Sequence, residues 1–124
     1  MAININVKDT FIPVQIGDIE LKFDVSDNAV EEMFRKFKEV DKTIEEIDKA
    51  NLKDEEAFKE NRRLLQEAYD SLFGEGSYDK VYKLSPSLLI TREYLSQIME
   101  GIFKELEERG HLDDKKQVAK YLKK

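Results

Sequence analysis

The 124-residue chain has no cysteine, a single histidine and only two prolines. Without cysteine there can be no disulfide framework and no thiolate metal site, and with His111 alone, zinc sites built on those ligands fall away too. Long apolar runs are also missing. No segment approaches the ~18 residues of a membrane span, and no basic stretch followed by an apolar run opens the chain. These absences point to a soluble, intracellular protein with no membrane partner. Positive charge is scarce as well. The formal net charge is −6, whereas phosphate neutralisation needs a basic face, so no nucleic-acid partner is expected. The scarcity is uneven: residues 111–124 carry five lysines against two aspartates, a net of +3, which leaves −9 on residues 1–110. A basic tail on an acidic body can fold back by simple attraction.

What is present is a set of well-marked helices, at a length that lets one domain bury roughly two-thirds of its unfolded surface. The stretch from Ser85 to Gly110 dominates. Ser85 reads as an N-cap, Pro86 as the first helical residue, where its missing N–H is harmless, and Gly110 as a left-handed stop. Leu95, Ile98, Met99, Ile102, Phe103 and Leu106 recur at three- and four-residue spacing, and Leu88, Leu89 and Ile90 extend the face at its start. A face that broad needs several neighbours to cover it.

Upstream, Ile12, Val14 and Ile16 alternate with other residues, Gly17-Asp18 makes a two-residue turn, and Ile19, Leu21, Phe23 and Val25 follow at period two. The pairing Ile16 with Ile19, Val14 with Leu21 and Ile12 with Phe23 puts all six side chains on one face. Pro13 confines the first strand to an edge, and Ile3, Ile5 and Val7 offer a third strand. Next comes a helix over about 27–50, capped by Ser26 or Asp27, with Val30, Met33, Phe37, Val40, Ile44 and Ile47 on its inner face. Glu31–Arg35, Glu32–Lys36 and Glu45–Lys49 line its outer face. Asp54 caps a second helix over about 54–73, joined to the first by a short connection that implies an antiparallel pair. After Gly74-Glu75-Gly76, a short turn from Ser77 carries Tyr78, Val81, Tyr82 and Leu84. The expected architecture is α+β: an N-terminal antiparallel β-hairpin, with a third strand available, then three main helices, the last over about 86–109. All lie in one domain of residues 1–110. The basic C-terminal segment 111–124 can form a short helix with Val118, Tyr121 and Leu122 as its apolar edge.

No constellation for chemistry emerges. His111 has only Asp113 and Asp114 as acidic neighbours, and Asp24, Asp27, Asn28 and Glu31 lack the spacing of a calcium loop. Gly74 and Gly76 follow no strand and precede no Gly-Lys-Ser/Thr, so they are turn residues and not a phosphate loop. An enzyme would have to converge groups such as Tyr78, Asp79, Tyr82 and Glu93 from separate positions. No cofactor or metal is implied.

The order of signals has a parallel. VQIGDIELKFDVSD in the hairpin, NAVEEMFRKF opening the first helix, and LFGEGSYDKVYKLSPSLLITREYLSQIMEGIFKELEER running into the last helix resemble the small tail assembly chaperones of long-tailed bacteriophages and prophages of Gram-positive hosts. The passage from Leu72 through Ser85 is the most specific part, and the likeness covers about residues 12–110. It implies a non-catalytic chaperone that binds the tape measure protein, keeps it soluble and helps recruit tail tube protein. Such a factor works in the cytoplasm of the bacterial host and is absent from the mature virion. It implies, too, that the chain would suit the short form of a frameshifted pair. The family carries no residue-level site. From the residues themselves, the partner-binding surface is expected on Leu95, Met99 and Phe103 of the 86–109 face or on Val118, Tyr121 and Leu122, with 111–124 as a detachable lid. Wide apolar faces on an acidic helical protein also favour a homo-oligomer. The competing expectation is a small acidic regulatory or toxin-neutralising binding module.

Overall fold

The computed structural model describes residues 1–110. Strands β1 (Phe11–Ile16) and β2 (Ile19–Asp24) form an antiparallel hairpin in the register that hydrophobic alternation requires: Ile12↔Phe23, Val14↔Leu21 and Ile16↔Ile19. Gly17 takes φ 56° at the first turn corner, a conformation that costs glycine little. Ile12, Leu21 and Phe23 are buried, Val14, Ile16 and Ile19 half-buried, and Gln15, Glu20 and Lys22 face outward.

No third strand joins them among the described residues. Residues 1–9 carry no regular structure, and Ile3, Ile5 and Val7 are 91%, 83% and 96% exposed. The edge of β1 supplies the reason. Val25 N–H donates to Thr10 O at 2.8 Å, so even-numbered residues of β1 turn their backbone groups toward β2, and Phe11, Pro13 and Gln15 present theirs to the outside. Pro13 has no N–H to give, and the Phe11 carbonyl is taken by Arg109 Nη1 at 3.0 Å. That edge is blunted against its own arm.

Four helices follow among the described residues, one more than the three main helices expected from the sequence: α1 (Asp27–Lys49), α2 (Glu55–Phe73), α3 (Ser77–Leu84) and α4 (Leu88–Glu108). The stretch after Gly76 is thus a full eight-residue helix, with Tyr78 and Val81 buried. Asp54 caps α2 by accepting from Glu56 N–H at 3.1 Å. Helices α1 and α2 run antiparallel, since Lys36 near the start of α1 donates to Ser71 O near the end of α2. On the outer face of α1, Arg35 pairs with Glu32 and Glu39 instead of Glu31. Such exposed pairs contribute little.

The start of α4 differs from the expected one. Ser87, not Ser85, is the N-cap, its Oγ accepting from Ile90 N–H at 3.2 Å, and Pro86 lies outside the helix. Ser85 is instead needed to finish α3, where its N–H donates to Val81 O, while its Oγ bonds the Tyr94 hydroxyl at 2.8 Å. Gly110, at φ 80°, does form the left-handed stop.

The core gathers on α4, which buries Leu88, Thr91, Leu95, Ile98, Met99, Ile102, Phe103 and Leu106. One centre is aromatic: Phe37 of α1 lies with its ring centroid 4.7 Å from Phe103, 5.7 Å from Phe23 and 6.4 Å from Phe34. The other is polar and closed. Thr91 Oγ1 donates back to the Ser87 and Leu88 carbonyls, so the Tyr78 hydroxyl 3.2 Å away must donate to it, and the Tyr69 hydroxyl donates to Thr91 O at 2.6 Å.

Burial raises the phenols of both Tyr69 and Tyr78 above the ordinary tyrosine value, and in each it is the largest cause. A group that holds its proton more tightly in the folded state contributes stability that is complete below its unfolded pKa, about 10 for tyrosine, and is lost as pH rises through the folded value. Melting temperature should therefore hold up to about pH 10 and fall steeply above it. Tyr69→Phe should destabilise the domain by about 1 kcal/mol at neutral pH and make the alkaline fall shallower. Thermal melts across that range check both.

Candidate functional site

An opening with a single charged residue, Glu105, in its lining lies between β1 and α4. It is a groove of about 490 Å³ whose walls include Ile12, Val14 and Ile16 on the strand and Tyr94, Ile98 and Ile102 on the helix. Both rows follow from local geometry. Period two in β1 aligns Ile12, Val14 and Ile16 over about 13 Å at ~3.3 Å per residue. On α4, Tyr94, Ile98, Gly101 and Glu105 stack at four- and three-residue steps, and Ile90, one turn before Tyr94, continues the row as an exposed apolar side chain. From Ile90 to Gly101 the row runs about 16 Å at 1.5 Å per residue, some three helical turns.

Gly101 is the most informative residue of the wall. A glycine in mid-helix costs about 1 kcal/mol relative to alanine. Among the described residues, nothing lies within 4 Å of where its Cβ would be. Packing among the described residues therefore does not call for the missing side chain, whereas a neighbour approaching the α4 backbone would. The two ends of the groove differ. Arg109 closes one, bonded to Glu105 on α4 at 2.9 Å and to the Phe11 carbonyl on β1. The other opens past Gly17, beside the exposed Leu84 at the end of α3.

Two further hollows carry more charged residues in their linings. The furrow between α1 and α2 has Val40, Leu64 and Ala68 at its base, but Lys36, Glu39, Lys42, Glu46 and Glu67 rim it. The hollow where the N-terminal arm meets α1 and α4 is lined mostly by polar residues, among them Lys8, Asp9, Ser26, Asn28 and Arg109.

The binding face expected from the sequence does not open to solvent. Leu95, Met99 and Phe103 are 0%, 6% and 2% exposed and belong to the core, because the hairpin and the other helices cover the broad face of α4. That is a correction: the wide stripe is the domain's own interior, and the side of α4 flanking it makes the groove. Val118, Tyr121 and Leu122, together with His111 and the lid expected over 111–124, lie outside the described residues. Of the groups that an enzyme would have needed to converge, Tyr78 is buried against Thr91 and Tyr82 is half-buried beneath Arg62, whose guanidinium lies 4.2 Å from the ring centroid. Asp79 and Glu93 are exposed. Among the described residues no group of three or more His, Cys, Asp or Glu could hold a metal ion, and no helix is long and apolar enough to cross a membrane. Sequence reasoning did not single out Tyr94 or Gly101. The one available signal was the glycine itself, an unforced weak point in an otherwise strong helix.

Hairpin, helices and groove define a small α+β domain with an apolar cleft on its surface and its polar clusters spent on internal hydrogen bonds. The chain belongs to a family of unknown function, DUF6673, whose model matches residues 17–124. The matched span thus covers β2 and every helix. No curated protein and no solved structure matches the chain.

Proposed function

We propose that this protein is a non-catalytic tail assembly chaperone that holds an apolar helical segment of a tape measure protein in the β1–α4 groove. The observation that carries the reading is the groove itself: it has apolar side chains on both walls, with Gln15, Gln97 and Glu105 among them, is about three helical turns long, and is spared a side chain at Gly101. An amphipathic helix docks in such a groove through side chains at i, i+3 or i+4 and i+7. A tape measure chain exposes stripes of that kind before the tube closes around it. The acidic exterior suits the same task, since charge on the covering protein keeps the complex soluble. The resemblance of the passage Leu72–Arg109 to tail assembly chaperones supports the choice of partner. In this reading the protein acts in the bacterial cytoplasm, helps bring tail tube protein to the covered tape measure, and does not enter the virion.

Co-expression with a tape measure protein from the same genome, followed by pull-down and a solubility comparison, tests the proposal. The expected result is a partner that moves into the soluble fraction and co-purifies. A partner that stays insoluble and does not bind would overturn the proposal and favour a regulatory or toxin-neutralising module.

A further inference from the structure

The N-terminal arm is the largest unexplained feature of the molecule. Met1, Ile3, Ile5 and Val7 stand at period two with exposures of 127%, 91%, 83% and 96%, well above Leu84, Leu89 and Ile90, the other exposed large apolar residues among those described. Ala2, Asn4 and Asn6 alternate with them, so in an extended conformation the arm has one apolar and one neutral edge. Four consecutive exposed apolar side chains on one face mark an interaction surface, not ordinary surface scatter.

We infer that the arm Met1–Val7 of one copy lies as an extended strand in the β1–α4 groove of a second copy. The inference shares that groove with the reading above but does not depend on the tape measure protein. Four observations favour this occupant. First, dimensions agree: seven extended residues span about 23 Å, enough to follow the whole strand wall. Ile3, Ile5 and Val7 repeat at the two-residue step of Ile12, Val14 and Ile16. Second, the groove can take backbone as well as side chains. Gln15 N–H and the Pro13 and Gln15 carbonyls remain on the outer edge of β1, and across from them Gly101 admits a chain close to α4. Third, charge is compatible, because residues 1–8 contain no acidic side chain and carry Lys8, while the body that receives them is acidic.

Fourth, the arm's own groove is a poor host. The arm enters β1 at the end bracketed by Arg109, where the Phe11 carbonyl is already bonded. To lie along its own strand it would have to reverse over Lys8–Thr10 and cross that bracket. An arm from a second copy can enter at the open end beside Gly17. Reciprocal exchange of two arms gives a closed, symmetric dimer.

Light scattering across a concentration series, with the full chain and with residues 1–8 deleted, tests the inference. The full chain should populate dimers as concentration rises, and the deletion should remain monomeric throughout. Ile5→Asp should behave like the deletion while its melting temperature stays unchanged, since Ile5 is 83% exposed among the described residues. A peptide of residues 1–8 should bind the deleted protein, and Gly101→Trp should weaken that binding at least tenfold. A full chain that is monomeric at every concentration, or a dimer that survives the deletion, would overturn the inference. No tape measure protein enters the experiment, so its failure is separate from failure of the chaperone reading.

Discussion

Phe37→Ala is expected to destabilise the domain by roughly 3–5 kcal/mol, a large share of the ~5–15 kcal/mol that holds a typical domain together. Phe37 is fully buried and sits at the junction of three parts of the fold, with Phe34 on its own helix, Phe23 on β2 and Phe103 on α4. Truncation removes the apolar surface of a whole ring and leaves a cavity among these neighbours. Because Phe23 anchors the hairpin, the loss should spread to β1 and with it to one wall of the groove. Urea unfolding followed by circular dichroism checks the size. The midpoint should fall by a large fraction at nearly constant slope. A shift equivalent to less than 1 kcal/mol would mean that the aromatic cluster is not the mechanical centre described.

Substitution of Gly101 should drive stability and binding in opposite directions. Gly101→Ala replaces the poorest ordinary helix former with the best, at a position with φ inside the helix and with free space at Cβ, and should stabilise the domain by about 0.5–1 kcal/mol. Gly101→Trp keeps the helix but places a ring in the groove, and should weaken partner affinity roughly 100-fold, about 2.8 kcal/mol. The contrast is diagnostic because a fold defect cannot produce it. A protein that melts at the same or a higher temperature and yet loses its partner has lost a surface. Equal affinity of the tryptophan variant and the parent would remove the groove from consideration.

Much of the fold could be read from residue spacing, and the exceptions share a cause. The hairpin register followed from alternation, since a one-residue slip would have turned Ile12, Val14 and Ile16 to solvent. The core face of α4 followed from its three- and four-residue repeat, which tertiary packing reinforced. The missing third strand could not be read from Ile3, Ile5 and Val7, whose pattern is as regular as that of β1. The deciding contact is Arg109 on the Phe11 carbonyl, between residues 98 positions apart in the chain. The choice of Ser87 over Ser85 as cap was equally hidden, because both are competent and only the end of α3 claims Ser85. The groove was the least legible feature. It lies where the hairpin meets α4, and residue spacing shows which residues are apolar, not which apolar residues fall short of one another. For the same reason Leu95, Met99 and Phe103, apolar and on the widest face, were natural candidates for a binding surface and are interior instead.

The β1–α4 groove is proposed to receive the partner's helix. The most direct measurement is an amide chemical-shift map of the labelled chain titrated with a helical segment of the tape measure protein. The account predicts changes concentrated at Val14, Ile16, Tyr94 and Gly101, fading toward the α1–α2 furrow around Leu64 and Ala68. Changes centred on that furrow, or no changes at saturating segment, would contradict it.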